Sequence, residues 1–356
     1  MSNVQVSVFT DLLEKALGGV ETLFITKGKT GSTLRATANG SVAVVRVPLL
    51  EIEGLKENAI ELDLKAFTGA AKGRDVSLAF TGHNISLSGG KNYRATVAAA
   101  EAGSVPGIMP QEENATKVRL TDEQKQFISR GLTLTKLEKT YSGITDTLVY
   151  IEATEKTITF ASFEARQVAY IVAKNSLAFP TCSIVLPTGI MQKINVLQGE
   201  VVIEISESTS LFKSKLTDLQ IPLPIDTVNA IKRELVMDII KSSRKKAVET
   251  ETNLSMKTSD VNSFLENAQA ITQPGSEVII KEASKGSVVL SVTTPKGKIT
   301  ERFEGSVSRP FALDFTFVRA ALLRSKDTVD IKLDESFAIV ASKEVTYIAA
   351  LSEMAA

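Results

Sequence analysis

The chain repeats nearly the same pattern three times. The stretches Leu62-Asp63-Leu64, Val185-Leu186-Pro187 and Leu313-Asp314-Phe315 each open a short helical run that passes into two strands, at offsets of 123 and 128 residues. At those offsets Phe67, Ile190 and Val318 coincide, and so do Ala71, Ile194 and Leu322. Positions four apart share one face of a helix, so each copy keeps the same buried stripe. Strand pairs follow at Val76 to Leu87, Val201 to Lys213 and Val329 to Val340. Modules of about 120 residues are of ordinary domain size. The repeat therefore predicts three domains, residues 1–115, 116–235 and 236–356.

Local signals fill in each module. In the first, a helix over Phe9 to Gly18 ends at Gly18-Gly19, and strands follow at Leu23 to Lys27, Ser32 to Ala38 and Val42 to Val47. A second helix covers Leu64 to Ala71, a hairpin turns at His83, and Tyr93 to Ala98 leaves as an edge strand. The second module opens on Thr121-Asp122-Glu123-Gln124, a capping box in which the threonine hydroxyl and the glutamine side chain each satisfy a free amide. Its second helix is expected over Thr188 to Leu197. The third module opens on Thr258-Ser259-Asp260 as a cap and carries a helix over Phe315 to Arg324. Polar linkers are expected near Gly103 to Lys117 and Pro222 to Thr252, the latter holding the basic run Arg244-Lys245-Lys246.

Provision for catalysis is poor. The one histidine, His83, lies in a turn, and the one cysteine, Cys182, has no histidine near it in sequence and reads as a structural thiol. Gly28-Lys29-Thr30 resembles the end of a phosphate-binding loop, but Leu23 stands where that loop requires glycine, so the stretch is a hairpin turn. Metal-ligand spacings are missing and no cofactor is expected. A single cysteine suits a reducing cytoplasm, and no apolar run approaches the ~20 residues that cross a bilayer.

Forty-one basic residues balance forty-one acidic ones, so any phosphate-binding surface must come from local segregation. Basic residues recur opposite the apolar helix stripes: Lys65 and Lys72 seven apart, Arg319 and Lys326 likewise, Lys125 and Lys136 about three turns apart with Lys139 beside them, and Lys193. Arg74, Arg130 and Arg324 join this set. The helix after Thr258 departs from it, with Glu266 in place of a basic residue. Agreement across modules points to a shared basic surface that meets phosphate.

The modules resemble those of the bacterial-type DNA polymerase sliding clamp. Phe212-Lys213-Ser214-Lys215-Leu216-Thr217-Asp218, followed by Ile221-Pro222, is similar to a run in that family's second domain. Ser88-Gly89-Gly90-Lys91-Asn92-Tyr93 resembles the end of its first domain, and Tyr347-Ile348-Ala349-Ala350 its C-terminal strand. The resemblance implies an α+β fold with helices inside and antiparallel sheets outside a ring. It also implies a head-to-tail homodimer encircling duplex DNA, tethering a DNA polymerase and placed by a clamp loader. Ring closure would join Tyr93 and Ala95 to Ile271 of the other copy. Partner peptides would enter a cleft between the second and third domains, at Ser162, Arg166, Val168, Pro222, Ile348, Ala350 and Leu351. Phe163-Glu164-Ala165 and Ala350-Leu351 depart from the family's residues there, which suits a phage clamp serving its own polymerase. The rival expectation is a repetitive, sheet-rich structural or assembly protein of a phage or cell.

Overall fold

The computed structural model describes residues 5–28, 30–55, 59–137, 147–164, 167–223, 238–242, 245, 249, 254–324, 328–333 and 337–351. The elements run α1 (Val6–Leu17), β1 (Thr22–Lys27), β2 (Gly31–Ala38), β3 (Ser41–Pro48), β4 (Ile52–Glu53), β5 (Ile60–Asp63), α2 (Leu64–Ala71), β6 (Ser77–Phe80), β7 (Asn84–Gly89) and β8 (Tyr93–Glu101). The order then recurs: β9 (Thr116–Leu120), α3 (Asp122–Leu134), β10 (Leu148–Ala153), β11 (Thr157–Glu164), β12 (Gln167–Lys174), β13 (Cys182–Pro187), α4 (Thr188–Met191), a 3₁₀ stretch (Gln192–Val196), β14 (Val201–Ile205), β15 (Thr209–Lys213) and β16 (Thr217–Pro222). It recurs once more in β17 (Leu254–Lys257), α5 (Thr258–Gln269), β18 (Glu277–Ser284), β19 (Ser287–Thr294), β20 (Gly297–Glu304), β21 (Phe311–Asp314), α6 (Phe315–Arg324), β22 (Thr328–Leu333), β23 (Phe337–Ala341) and β24 (Thr346–Ala350).

These elements form two compact units, residues 1–125 with 192–225 and residues 126–191 with 226–356. The first holds a twelve-stranded sheet in the order β4-β6-β7-β8-β5-β1-β2-β3-β16-β15-β14-β9. The second holds an eight-stranded sheet, β13-β10-β11-β12-β24-β23-β22-β17, and a four-stranded one, β20-β19-β18-β21. In the first unit β3 pairs antiparallel with β16, from Thr217 opposite Val45 to Gln220 opposite Val42. Arg46 and Asp218 clamp that seam with an ion pair. In the second unit β12 pairs antiparallel with β24, setting Val168 opposite Ile348. Both junctions join the third strand after one module's first helix to the last strand of the next module.

Caps explain where the helices begin. The Thr121 amide donates to Gln124 Oε1 at 2.9 Å and the Gln124 amide to Thr121 Oγ1 at 3.3 Å, which is the expected capping box. Asp63 and Asp314 hold equivalent places in the repeat, and their carboxylates accept from the amides of Ala66 (2.6 Å) and Phe317 (3.0 Å). The start of α5 differs from expectation. Its N-cap is Lys257 without a side-chain bond, and Asp260 instead accepts from Ser259 Oγ at 2.8 Å.

The second module also departs from the repeat at its second helix. The helix after β13 opens one residue later than the sequence offset predicts, so fully buried Met191, not half-buried Ile190, sits where Phe67 sits in α2. Gly189 and several β-branched residues are poor helix formers, and the chain tightens after Met191 into the 3₁₀ stretch. In that winding positions three apart eclipse, which returns Ile194 to the interior at 0% exposure. The linker expected over Pro222 to Thr252 is not purely solvated either: residues 238–242 are helical and Ile240 is 2% exposed.

Two glycines in helices predict stability changes of opposite sign. A Cβ on Gly131 of α3 would stand 2.8 Å from the ring of fully buried Phe160, whereas one on Gly69 of α2 would meet nothing within 4 Å. Gly131→Ala is expected to cost about 1–2 kcal/mol, since overpacking outweighs the helix gain. Gly69→Ala should gain about 0.5–1 kcal/mol. Urea unfolding of the two variants decides both signs.

Candidate nucleic-acid and partner surfaces

In the first unit, α2 exposes Lys65, and Lys72 and Arg74 are exposed just beyond its end. The Arg74 guanidinium lies 4.0 Å from the centre of the Tyr93 ring, a cation–π contact that holds it against the module. Lys193 is half-buried and donates to the Lys15 carbonyl at 3.2 Å. Lys125 corrects the sequence reading. It is 8% exposed, and its ammonium reaches Asp122 at 2.7 Å and the Leu197 carbonyl at 3.0 Å. The eleven-residue spacing to Lys136 therefore does not mark one exposed face. Lys125 ties the start of α3 to the end of the 3₁₀ stretch.

In the second unit, Arg130 is exposed and pairs with Glu344 at 2.7 Å. Lys136 is exposed beyond the end of α3, and its carbonyl accepts from Arg324. Arg319 and Arg324 are half-buried on α6. Beside Arg324, burial pushes the Tyr347 phenol up to about 12, against the pull of that guanidinium, and the phenol donates to the Leu134 carbonyl. Lys139 and Lys326 lie outside the described residues. The first helices are mixed: α1 exposes Asp11 and Lys15, α3 exposes Asp122, Glu123 and Arg130, and α5 exposes Asp260 and Glu266. Among the described residues, exposed positive charge therefore lies on or just after α2 and α3 and at Lys15 of α1, whereas Lys193, Arg319 and Arg324 of the later second helices are half-buried.

The expected peptide cleft is only partly assembled. Val168 and Ile348 are direct cross-strand partners, and Val168 also faces Phe163 on β11. A second row on this face runs Val185–Tyr150–Ala161–Tyr170 across β13, β10, β11 and β12. Ser162 lies on the opposite face, opposite Ala169, 1% exposed, with its hydroxyl 2.7 Å from Thr135 Oγ1 after α3. Neighbouring strand residues point to opposite faces, so Ser162 cannot join Val168 and Ile348 in one surface site. Leu351 is half-buried against the core formed by α5 and α6. Pro222 belongs to the first unit, at the end of β16. Arg166 and the side chain of Ala350 lie outside the described residues.

Sequence reasoning missed Tyr150, Phe163, Tyr170 and Ile240 as members of the Val168 face. All four are buried in one cluster with Val168, against which Ile348 packs. The two aromatic rows could have been found from strand alternation alone; Ile240 could not, because nothing in the linker announces where its helix docks.

Among the strands with an open side, β8 and β20 are the ones next to the expected ring-closure residues. β8 pairs with β7 over Tyr93 to Ala98 and with β5 only from Ala99 onward, so its first six residues have one open side among the described residues. β20 ends the four-stranded sheet and alternates exposed with half-buried residues. Ile271 lies beside it: its carbonyl accepts from Thr294 Oγ1 at 3.0 Å, and a Cβ on Gly297 would be 3.9 Å from its side chain. The Tyr93 side chain is committed within its own module, donating to the Ala70 carbonyl of α2. An interface there would use the backbone edge and Ala95 rather than the Tyr93 ring.

Elsewhere the chemistry is sparse. His83 is exposed in the β6–β7 turn, and burial pushes the Cys182 thiol up, as suits a structural residue. Among the described residues no group of three or more His, Cys, Asp or Glu could hold a metal, and no helix is long and apolar enough to cross a membrane.

No protein-family model and no curated protein matches this sequence. Solved structures do match, over 99% of this chain and 99% of each of theirs. The DNA polymerase sliding clamp of Bacillus subtilis superposes with a TM-score of 0.72 at 15% identity. The DNA polymerase III subunit beta of Pseudomonas aeruginosa gives 0.74 at 10%. The Helicobacter pylori beta clamp bound to a DNA ligase peptide gives 0.71 at 9%. The chain therefore has, from end to end, the α+β fold of the bacterial DNA polymerase sliding clamp.

Proposed function

We propose that this protein is a DNA sliding clamp: a head-to-tail homodimeric ring that encircles duplex DNA and tethers a DNA polymerase, without chemistry of its own. Each of the three repeats, residues 1–115, 116–235 and 236–356, would be one clamp domain. The observation that carries this reading is the pattern of the junctions. Third strand meets last strand at β3–β16 and again at β12–β24, and this rule leaves one third strand, β20, and one last strand, β8, without such a partner. A second copy supplies both, β8 of one chain to β20 of the other, and a two-fold arrangement uses each edge once. Ala95 and Ile271 flank those edges.

Inside such a ring Lys65, Lys72, Lys193 and Arg319 would meet phosphate, with Lys136, Arg74, Arg130 and Arg324 as further candidates and Lys139 and Lys326 beside them in sequence. Contact with phosphate alone is indifferent to sequence, and retention would come from topology rather than affinity. A neutral chain suits that task, since many tight phosphate contacts would stop it sliding. Partners would be the polymerase and a clamp loader in the cytoplasm, with peptides docking on the Val168–Ile348 face.

The reading predicts a solution mass of twice the 38.3 kDa chain. Ala95→Asp or Ile271→Asp should reduce it to a single chain in light scattering; a large open assembly in the native protein would instead mark a structural polymer. Replacing Lys65, Lys72 and Arg319 together by Ala should leave the mass unchanged and abolish retention on circular DNA at moderate salt. Each phosphate contact removed should lower the slope of log affinity against log salt by about 0.9. Lys125→Met is expected to behave oppositely, costing about 1–3 kcal/mol of stability while leaving retention intact, because its ammonium is spent on Asp122 and Leu197.

A further inference from the structure

The face around Val168 is already occupied by the chain itself. Tyr150, Ala161, Phe163, Val168 and Tyr170 form its buried floor, with Val172, Val185 and Ile348 packed at its margin. All of these belong to β10, β11, β12, β13 and β24. Among the described residues, the one member of the cluster from outside the sheet is Ile240. It is 2% exposed, whereas Asp238, Ile239, Lys241 and Ser242 around it are exposed. Among the described residues of this helical stretch, Ile240 is the side chain that enters the cluster. This is the arrangement by which short helical peptides dock: one aliphatic anchor enters an apolar socket and the remainder stays in water.

We propose that residues 238–242 are a resident ligand of this face, and that an external peptide with an aliphatic anchor binds by displacing Ile240. The inference rests on the reading of this face as the partner site and adds how access to it is controlled. The socket is built for a branched aliphatic group: aromatic rings of Tyr150, Phe163 and Tyr170 wall it, and Val168 with Ile348 closes one side. Tyr150 keeps its hydroxyl occupied by donating to Glu152 at 2.9 Å, so the ring presents an apolar surface without leaving a buried polar atom unmet. Burial of an isoleucine side chain shifts an equilibrium about ten- to hundred-fold, which is enough to exclude poor ligands and little enough for a good one to overcome. An external ligand's apparent affinity is reduced by the fraction of molecules in which the socket is open.

The test uses the segment's own sequence as probe, a fluorescent synthetic peptide covering residues 235–243, added to the full chain. Ile240→Ala protein is expected to capture the peptide about ten- to hundred-fold more tightly than native protein does. A peptide carrying Ile240→Ala should be captured by neither, and Ile239→Ala protein should behave as native because Ile239 is exposed. Should Ile240→Ala fail to fold, Ile240→Val, which keeps most of the anchor, should give an intermediate gain. Equal binding to native and variant protein, or binding to neither, overturns the proposal. Retention on circular DNA tests the clamp reading separately. Capture without retention leaves the resident ligand standing and removes the clamp. Retention without capture does the reverse.

Discussion

An unpaired strand edge is the liability that the architecture of this protein is organised around. Each module is built from short antiparallel strands, and each would end in open backbone if it stood alone. The β3–β16 and β12–β24 ladders remove that problem by hydrogen bonding one module to the next, so the modules cohere through backbone geometry more than through particular side chains. Backbone pairing tolerates almost any sequence, which explains how identities of 9 to 15% coexist with superposition over the whole chain. The internal pairing rule leaves β8 and β20 without a counterpart, which is why the proposed ring closes there.

Charge follows a different logic from the ladders. Lys65, Lys72 and Arg319 stand on or just after second helices, while α5 shows acidic side chains outward and α1 and α3 show both signs. Helices that mix both signs attract a polyanion more weakly than uniformly basic ones. Several cations are further restrained by bonds within the protein: Arg130 by Glu344, Arg74 by Tyr93, Lys193 by the Lys15 carbonyl. These contacts orient the side chains and lower their conformational freedom.

Much of this was legible in the chain, and the misses have physical causes. The Thr121–Gln124 cap, the helix over Phe315 to Arg324 and the edge position of Tyr93 to Ala98 all follow from periodicity and local hydrogen bonding, and the structure has them. The face assigned to Ser162 did not follow. Sheet register has period two, so a one-residue error around the β11–β12 turn exchanges the core face for the outer one. Lys125 failed for a related reason. Its helical spacing says which residues share its face but not that the Leu197 carbonyl waits there to accept a hydrogen bond from its ammonium. Met191 replaced Ile190 because the sequence does not reveal where α-helical winding gives way to 3₁₀.

The departures around the Val168 face and the docking of Ile240 bear on one another. Phe163 stands where the clamp resemblance leads one to expect a small polar residue, and it adds a ring to the floor of the face, opposite Val168. A floor of that size and apolarity, left open to water, would be a patch that invites nonspecific association. Ile240 covers it from within the chain while Asp238, Lys241 and Ser242 present a polar exterior. The enlarged floor and the internal cover therefore make sense together: the first raises affinity for any aliphatic anchor, and the second raises the threshold that an anchor must pass. Selectivity at such a site comes from the difference between two ligands competing for one socket, not from the depth of the socket alone.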